Sequence, residues 1–525
     1  MNKKRTLTLL PALLAGISAA AMIAAPAGAQ EIKRGGNLRI GISQMAPSPD
    51  PVVTTFGVNW GTSYIVCEGL FGLDEKWTPQ PMLADSFKYS DDGLKLTVVL
   101  RSGLKFHSGA PLTSADVVAS LNRFRESAGI GASLKATTKS IKAVDDKTVE
   151  FELASPSPIL PGLLAGAQSA IMSAKSLEGA SATVGTKGLD CTGPYTLTSY
   201  QPDQGAKLTR WDDYQSRKEP ASAMSGAKYA YADEIDLRLM PEPSVRRDAL
   251  ITGQIDIARE LPSDFYDALK NNSGTEPVVV PNNQSLTVVF NTKEGVLADV
   301  NLRRAIYYAL EMEPIMQASV GKKEFYTLDP SWIPDPNSFW YTKAGVPDGF
   351  GKPNAAKVKE YLGKSNYNGQ PIRWLVASEQ YQKHYLTAIT ASQQLEEFGI
   401  KVDIIQSPMA NYIQTRANAA QMDAFSSFLP TYVDPTSIAY LNPTYPGFWD
   451  NPEKTGLMKQ IATTIDPTER KAIFEKIHAL AYDQFPFIKY GTESNMYGMR
   501  KGVGNPQRIP ARSDDFYNVA PPPAN

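Results

Sequence analysis

Residues 83–124 read LADSFKYSDDGLKLTVVLRSGLKFHSGAPLTSADVVASLNRF. Leu94, Leu96, Val98 and Leu100 alternate with Lys95, Thr97 and Val99. This spacing predicts a strand with one face buried. Ser90-Asp91-Asp92-Gly93 before it is turn chemistry, since Gly93 tolerates positive φ. Gly103, Gly109 and Pro111 after it require the chain to fold back. Thr113 with Asp116 three residues on predicts an N-cap with a capping box, and Val117, Leu121 and Phe124 form the stripe of a buried helix face.

The chain around this block alternates strand and helix patterns, which predicts an α/β fold. Strand-like runs occur at 144–153, 196–200, 207–211, 233–238, 254–258, 288–291 and 400–405, and one follows Pro486. Leu302, Ala305, Ile306, Ala309 and Leu310 mark one core-facing helix. Residues 60–70, 246–253 and 381–398 read as helices, as does a segment started by Asp466-Pro467. Pro521-Pro522-Pro523 reads as a disordered tail.

The amino terminus has the pattern of an export signal. Lys3, Lys4 and Arg5 precede an apolar run that ends at Ala27-Gly28-Ala29, which predicts cleavage before Gln30. No cysteine stands at that site, so a lipid anchor is not expected, and no other run is long enough to span a bilayer. Of 525 residues, loss of the first 29 leaves 496 and removes three positive charges and no negative ones, taking the net charge from −1 to −4. A mildly acidic chain has no electrostatic footprint for nucleic acid or an anionic membrane. Its 42% hydrophobic content is that of a globular protein.

Enzyme and cofactor motifs do not assemble. Gly363-Lys364-Ser365 lacks the first glycine of a phosphate loop, because Val358 stands there. No G-x-G-x-x-G opens a helix and no G-x-S-x-G is present. His107, His384 and His478 lie far apart, without metal-ligand spacing. The expectation is therefore no catalytic residue, no metal and no cofactor.

The opening block resembles the signature of the bacterial extracellular solute-binding proteins of family 5, the receptors of ABC importers for oligopeptides, dipeptides and related solutes. The resemblance rests on Leu83-Ala84-Asp85-Ser86, Asp91-Asp92-Gly93, Leu100-Arg101-Ser102-Gly103, Lys105-Phe106-His107, Pro111-Leu112-Thr113 and Asp116-Val117. It continues at Thr192-Gly193-Pro194-Tyr195, at 254–258 and at 302–310. It implies a two-lobed periplasmic binding protein with an extra domain inserted in the first lobe, the cluster C-like arrangement. The implied limits are a signal peptide at 1–29, a first lobe from 30–75, 190–290 and 490–525, an insert at 76–189 and a second lobe at 291–489. The implied function is capture of peptides or a similar medium-sized polar solute by lobe closure, then delivery to permease subunits of the inner membrane, with the ATPase acting indirectly. A periplasmic monomer is expected. An extracytoplasmic hydrolase, or a chaperone or signalling receptor on the same fold, stands as the alternative.

Aromatic residues in loops are the candidates for a ligand wall. They are Trp60 and Tyr64 in the first lobe, and Phe428, Tyr432, Tyr445 and Trp449 in the second. Asp434-Pro435 matches the family's acidic residue and proline, and Asp434 also suits a cap for the segment from Thr436. In the peptide binders an aspartate three residues earlier pairs with the peptide's amino group. Here that position is Thr431, whose neutral hydroxyl cannot supply that charge-assisted bond. Either the ligand is not an ordinary free-amino peptide or another carboxylate meets the amine. The family has an aromatic residue where Cys67 stands and glycine where Cys191 stands. In an exported chain the two form a disulfide or remain two separate buried thiols.

Overall fold

A computed structural model describes residues 34–52, 63–126, 130–178, 189–377, 382–504 and 516–523. Among these residues, eleven strands form one mixed sheet. Its order from one edge is Val402–Ser407, Ile372–Ala377, Ala424–Pro430, Thr275–Phe290, Phe487–Arg500, Ile257–Ala258, Asn37–Ile42, Glu234–Leu239, Gly205–Arg210 and Tyr195–Gln201, and Tyr326–Thr327 pairs off this path with Phe487–Arg500. The strands fall into two lobes joined through the middle of the sheet.

Two long antiparallel strands, Thr275–Phe290 and Phe487–Arg500, make the junction. Their pairing runs from Thr275 opposite Arg500 to Val280 opposite Asn495 and resumes with Gln284 opposite Glu493. Three residues on one strand face one on the other at this break, a bulge that bends the ribbon. Hydrophobic packing changes partners there. Val280, Tyr497 and Met499 pack with Leu38, Ile40 and Ile235. Leu286, Val288, Ile488 and Tyr490 pack with Ile306, Trp332 and Trp374. The short strands expected at 288–291 and after Pro486 are therefore the ends of much longer ones. Their middles carry Asn, Gln, Ser and Thr, so alternation of apolar residues fades there.

The opening block forms a separate antiparallel sheet, ordered Ala84–Tyr89, Lys95–Leu100, Thr148–Leu153 and Thr138–Ala143. Leu96, Val98 and Leu100 are buried as the alternation predicts. The helix Ser114–Arg125 lays Val117, Leu121 and Phe124 on this sheet. Asp116 Oδ2 accepts from the Thr113 backbone N–H at 2.9 Å and from its hydroxyl at 2.8 Å, while Oδ1 accepts from the Ala174 N–H at 2.8 Å. The cap therefore also fastens the returning chain.

Cys67 and Cys191 are bridged, with Cα atoms 4.8 Å apart across 124 positions of sequence. The bond closes the neck through which the chain leaves the first lobe and returns. Gly193 belongs to the same neck. A Cβ there would stand 2.5 Å from the carbonyl oxygens of Ile65 and Val66, so only glycine fits. His107 behaves as a structural turn residue: its Nε2 lies 2.9 Å from the Gly193 carbonyl and its ring stands edge-on to Trp211.

Two expectations change. The proline tail is anchored at its start: Ala520 exchanges backbone hydrogen bonds with Gly504, Phe516, Tyr517 and Val519 are buried in the first lobe's core, and Pro521 and Pro522 are half-buried while Pro523 is exposed. Within 60–70 only Ser63–Val66 is described as helix; Glu68 forms a β-bridge to Ile171, and residues up to 62 lie outside the described set.

Replacing both Cys67 and Cys191 by serine should lower stability by about 2–4 kcal/mol, because the reduced unfolded chain regains the freedom of a long loop. Denaturant midpoints of the oxidised protein and the variant measure this. A second outcome concerns His478. Burial among Trp332, Phe474 and Tyr482 pulls its pKa down to about 4. The unfolded imidazole takes up a proton near pH 6.5 while the folded one stays neutral, so stability falls as pH drops from 6.5 towards 4. His478→Gln should remove about 1.4 kcal/mol per pH unit of that slope below pH 6.5, read from denaturant midpoints at pH 6 and pH 5.

Candidate ligand-binding cleft

Strand direction locates the cleft. In the first lobe Asn37–Ile42 runs parallel to Glu234–Leu239 and to Ile257–Ala258. In the second, Ile372–Ala377 runs parallel to Val402–Ser407 and Ala424–Pro430. After Ala258, which pairs with Gly498, the chain advances until the Leu261 N–H reaches the Met496 carbonyl. From the other side Pro430 ends opposite Gln284. The carboxyl ends of both parallel sets thus meet at the ribbon's bulge. Open α/β sheets hold ligands outside the carboxyl ends of their strands.

Arg246 shapes the first lobe's rim. Its guanidinium is buried and donates to four backbone carbonyls, those of Met240 at 2.5 Å, Pro241 at 2.7 Å, Arg259 at 3.0 Å and Glu260 at 2.9 Å. One side chain thereby ties together the loops after the two strands that flank Asn37–Ile42. Burial pulls its pKa down, and the four carbonyls replace the lost water. Glu260 is held at φ 51°, a conformation unusual for glutamate, and its carboxylate accepts from the Ser43 hydroxyl at 2.5 Å. Arg259 lies between Glu260 and the Tyr497 ring.

The second lobe contributes Lys383, from the first turn of the helix Gln382–Glu396, and the carboxyl end of the strand Ala424–Pro430. Lys383 donates to the Glu493 carboxylate, whose other oxygen accepts from Gln284 Nε2 at 2.6 Å. Glu493 is on the ribbon and its side chain is 4% exposed.

The predicted wall residues separate into groups. Phe428 lies two residues before the end of the strand Ala424–Pro430 and Thr431 directly after it, with the Phe428 ring 4.2 Å from that of His384. Thr431 is buried and Tyr432 half-buried. Val433 packs against the inserted domain's core, so this loop joins sheet and insert. Asp434 has structural partners on both oxygens: one caps Thr436, and the other lies 2.8 Å from Arg470 Nη2. Tyr445 packs on Tyr440 and faces Arg416. Trp449 is a core residue whose Nε1 donates to Gln484 Oε1 at 2.8 Å. Tyr64 packs into the neck of the insert, with its hydroxyl 3.4 Å from the Ala165 carbonyl. Trp60 lies outside the described residues.

Lys383, Glu493, Gln284, Ser43, Arg259 and Glu260 were not singled out from sequence. One signal for Glu493 was present. It stands in a run otherwise rich in Ile, Tyr, Gly and Thr, and charge in a buried strand demands a partner.

The profile of the bacterial extracellular solute-binding proteins, family 5, middle region, matches residues 78–450. The chain belongs to this family. A probable peptide ABC transporter periplasmic-binding protein of Sinorhizobium fredii is 25% identical over 470 residues, covering 84% of this chain and 86% of that one. The glutathione-binding protein of Escherichia coli is 23% identical over 439 residues, covering 80% and 82%. The solved ABC transporter substrate-binding protein CtaP of Listeria monocytogenes superposes with a TM-score of 0.79 at 22% identity, over 93% of this chain and all of that one, and shares the fold. The family's description is of solute binding.

Arg246→Met should leave four carbonyls without their donor and loosen both rim loops. A stability loss of about 3 kcal/mol or more is expected. Amide exchange at Met240–Glu242 and Arg259–Leu261 should rise while exchange in the inserted domain is unchanged.

Proposed function

We propose that this family 5 protein is the capturing component of an ABC importer, working in the periplasm as a monomer after loss of residues 1–29. It takes a peptide or a peptide-sized polar solute between its lobes and presents the closed complex to permease subunits in the membrane, which an ATPase outside this chain drives. The observation that carries this reading is the meeting of both lobes' strand ends at one bulged ribbon. The proposed lobes are 30–75 with 190–290 and 490–525, and 291–489, with 76–189 inserted; the packing change between Val280 and Leu286 and between Met496 and Tyr497 supports a working boundary inside the ribbon. Relatives named for peptides and for glutathione support a peptide-like cargo.

The mechanism is capture without bond making. Bending at the bulge closes the lobes, and a ligand that touches both faces stabilises the closed state by its differential affinity. Phe428 and Tyr432 offer apolar walls, and the paired charges at the rim and ribbon offer polar ends. Among the described residues, no arrangement of nucleophile and base supports the hydrolase alternative.

Protein recovered from the periplasm of an expressing bacterium should have a mass that begins at Gln30. Denaturation should release an intact peptide-like solute near one per chain, identified by mass spectrometry. Re-addition of that solute should raise the melting temperature. Recovery of the protein without solute, together with turnover of amide or ester substrates, would overturn the reading.

A further inference from the structure

The ribbon carries a charge pair unlike the other buried lysine contacts of this chain. Lys228, Lys454 and Lys489 have side chains 5% exposed or less, and each donates to a backbone carbonyl: Tyr64 at 3.2 Å, Leu441 at 2.9 Å and Ser331 at 2.5 Å. These are built-in structural cations. Lys383 differs on both counts. Its side chain is 44% exposed, and among the described residues its contact is with Glu493 alone. It also stands in the first turn of its helix, where the macrodipole disfavours a cation.

Glu493 has the opposite character. Its side chain is 4% exposed and its backbone is locked between Gln284 and Tyr326 in the sheet. Gln284 Nε2 fixes one oxygen at 2.6 Å, which aims the other at Lys383. A rigid, buried carboxylate therefore faces a half-exposed, loosely tethered ammonium at the place where the two lobes meet. Removal of that ammonium would leave a buried charge uncompensated, so Glu493 needs a cation in every state of the protein.

We propose that Glu493 is the subsite for a positively charged group of the ligand, and that Lys383 fills it while the cleft is empty. The ligand's ammonium takes the place of the Lys383 Nζ, which swings into solvent or onto the ligand. This inference rests on the peptide reading above, and it names a carboxylate to meet the amine that Thr431 cannot hold. The exchange explains why a flexible lysine, rather than an arginine with a two-pronged grip, holds the position: an arginine fork would not be displaced by a single ammonium.

The test compares two sets of Ala-Xaa-Ala tripeptides, one with free amino termini and one N-acetylated, by titration calorimetry. Wild-type protein should prefer the free-amino set at least about tenfold. Glu493→Gln should weaken the free-amino set by about 10- to 100-fold and leave the acetylated set unchanged. Lys383→Met should tighten the free-amino set by about tenfold, because the competing ammonium is gone, while lowering the melting temperature of the empty protein. The opposite signs separate exchange from a merely structural ion pair, in which both variants would weaken both sets alike; that result overturns the proposal. Equal binding of the two sets by wild type overturns the cation subsite and leaves the peptide reading standing. Binding of neither set overturns the peptide reading and this inference with it.

Discussion

The pairing of Thr275–Phe290 with Phe487–Arg500 is the constraint on which the rest of the molecule depends. Each half of the ribbon is the outer strand pair of a different lobe, so the two lobes join edge to edge. The cores on the two sides share the same backbone but few side chains. A continuous ladder of hydrogen bonds resists shear and stretch, so the lobes cannot slide apart. It yields to bending and twist where the register breaks, between Val280 and Gln284. The strand ends of both lobes point at this same break. Hinge and cleft are thus one feature.

The inserted domain is held by a different device. Chain leaving and returning through one neck is poorly fixed by backbone pairing alone, so the neck is reinforced covalently by Cys67–Cys191 and sterically by Gly193. A buried charge cluster adds to it: Lys228 Nζ lies 3.1 Å from Glu68 Oε1, which also accepts from the Tyr214 hydroxyl at 2.8 Å. At its far end the insert reaches the second lobe, where Trp77 Nε1 donates to Asp335 Oδ2 at 3.2 Å and the Lys76 carbonyl accepts from the Phe339 N–H at 3.3 Å. Val433 packs there too, on the loop that carries Thr431 and Tyr432. The insert is therefore coupled to the cleft wall as well as to the neck.

Charge in the cleft is arranged as neighbouring opposites, Arg259 with Glu260 and Lys383 with Glu493. Such pairs keep the empty cleft near neutral and limit the desolvation cost of closing it. They also give a zwitterionic solute groups of both signs to exchange with. Arg246 supports this indirectly, since it positions Glu260 through the backbone rather than through a charge of its own.

Local sequence determined the elements whose causes are local. The alternation of Leu96, Val98 and Leu100, the cap at Thr113 with Asp116, and the helix stripe of Leu302, Ala305 and Ile306 each form as their spacing dictates, because period and capping act within a few residues. The family was legible for the same reason, since its block is made of turns and caps at fixed spacing. The cleft was not. Phe428, Thr431 and Tyr432 lie at the strand end beside the bulge, whereas Trp449, Tyr64 and Asp434 are held by core, neck and cap contacts that no local pattern reveals. Lys383 and Glu493 are 110 residues apart, and only the packing of the helix Gln382–Glu396 on the sheet brings them together. Sequence by itself determined which pieces form and to which family they belong. The tertiary structure decided where the packing changes along the ribbon and which charges pair there, because strand register across more than 200 residues is set by packing of the whole core and not by any one segment.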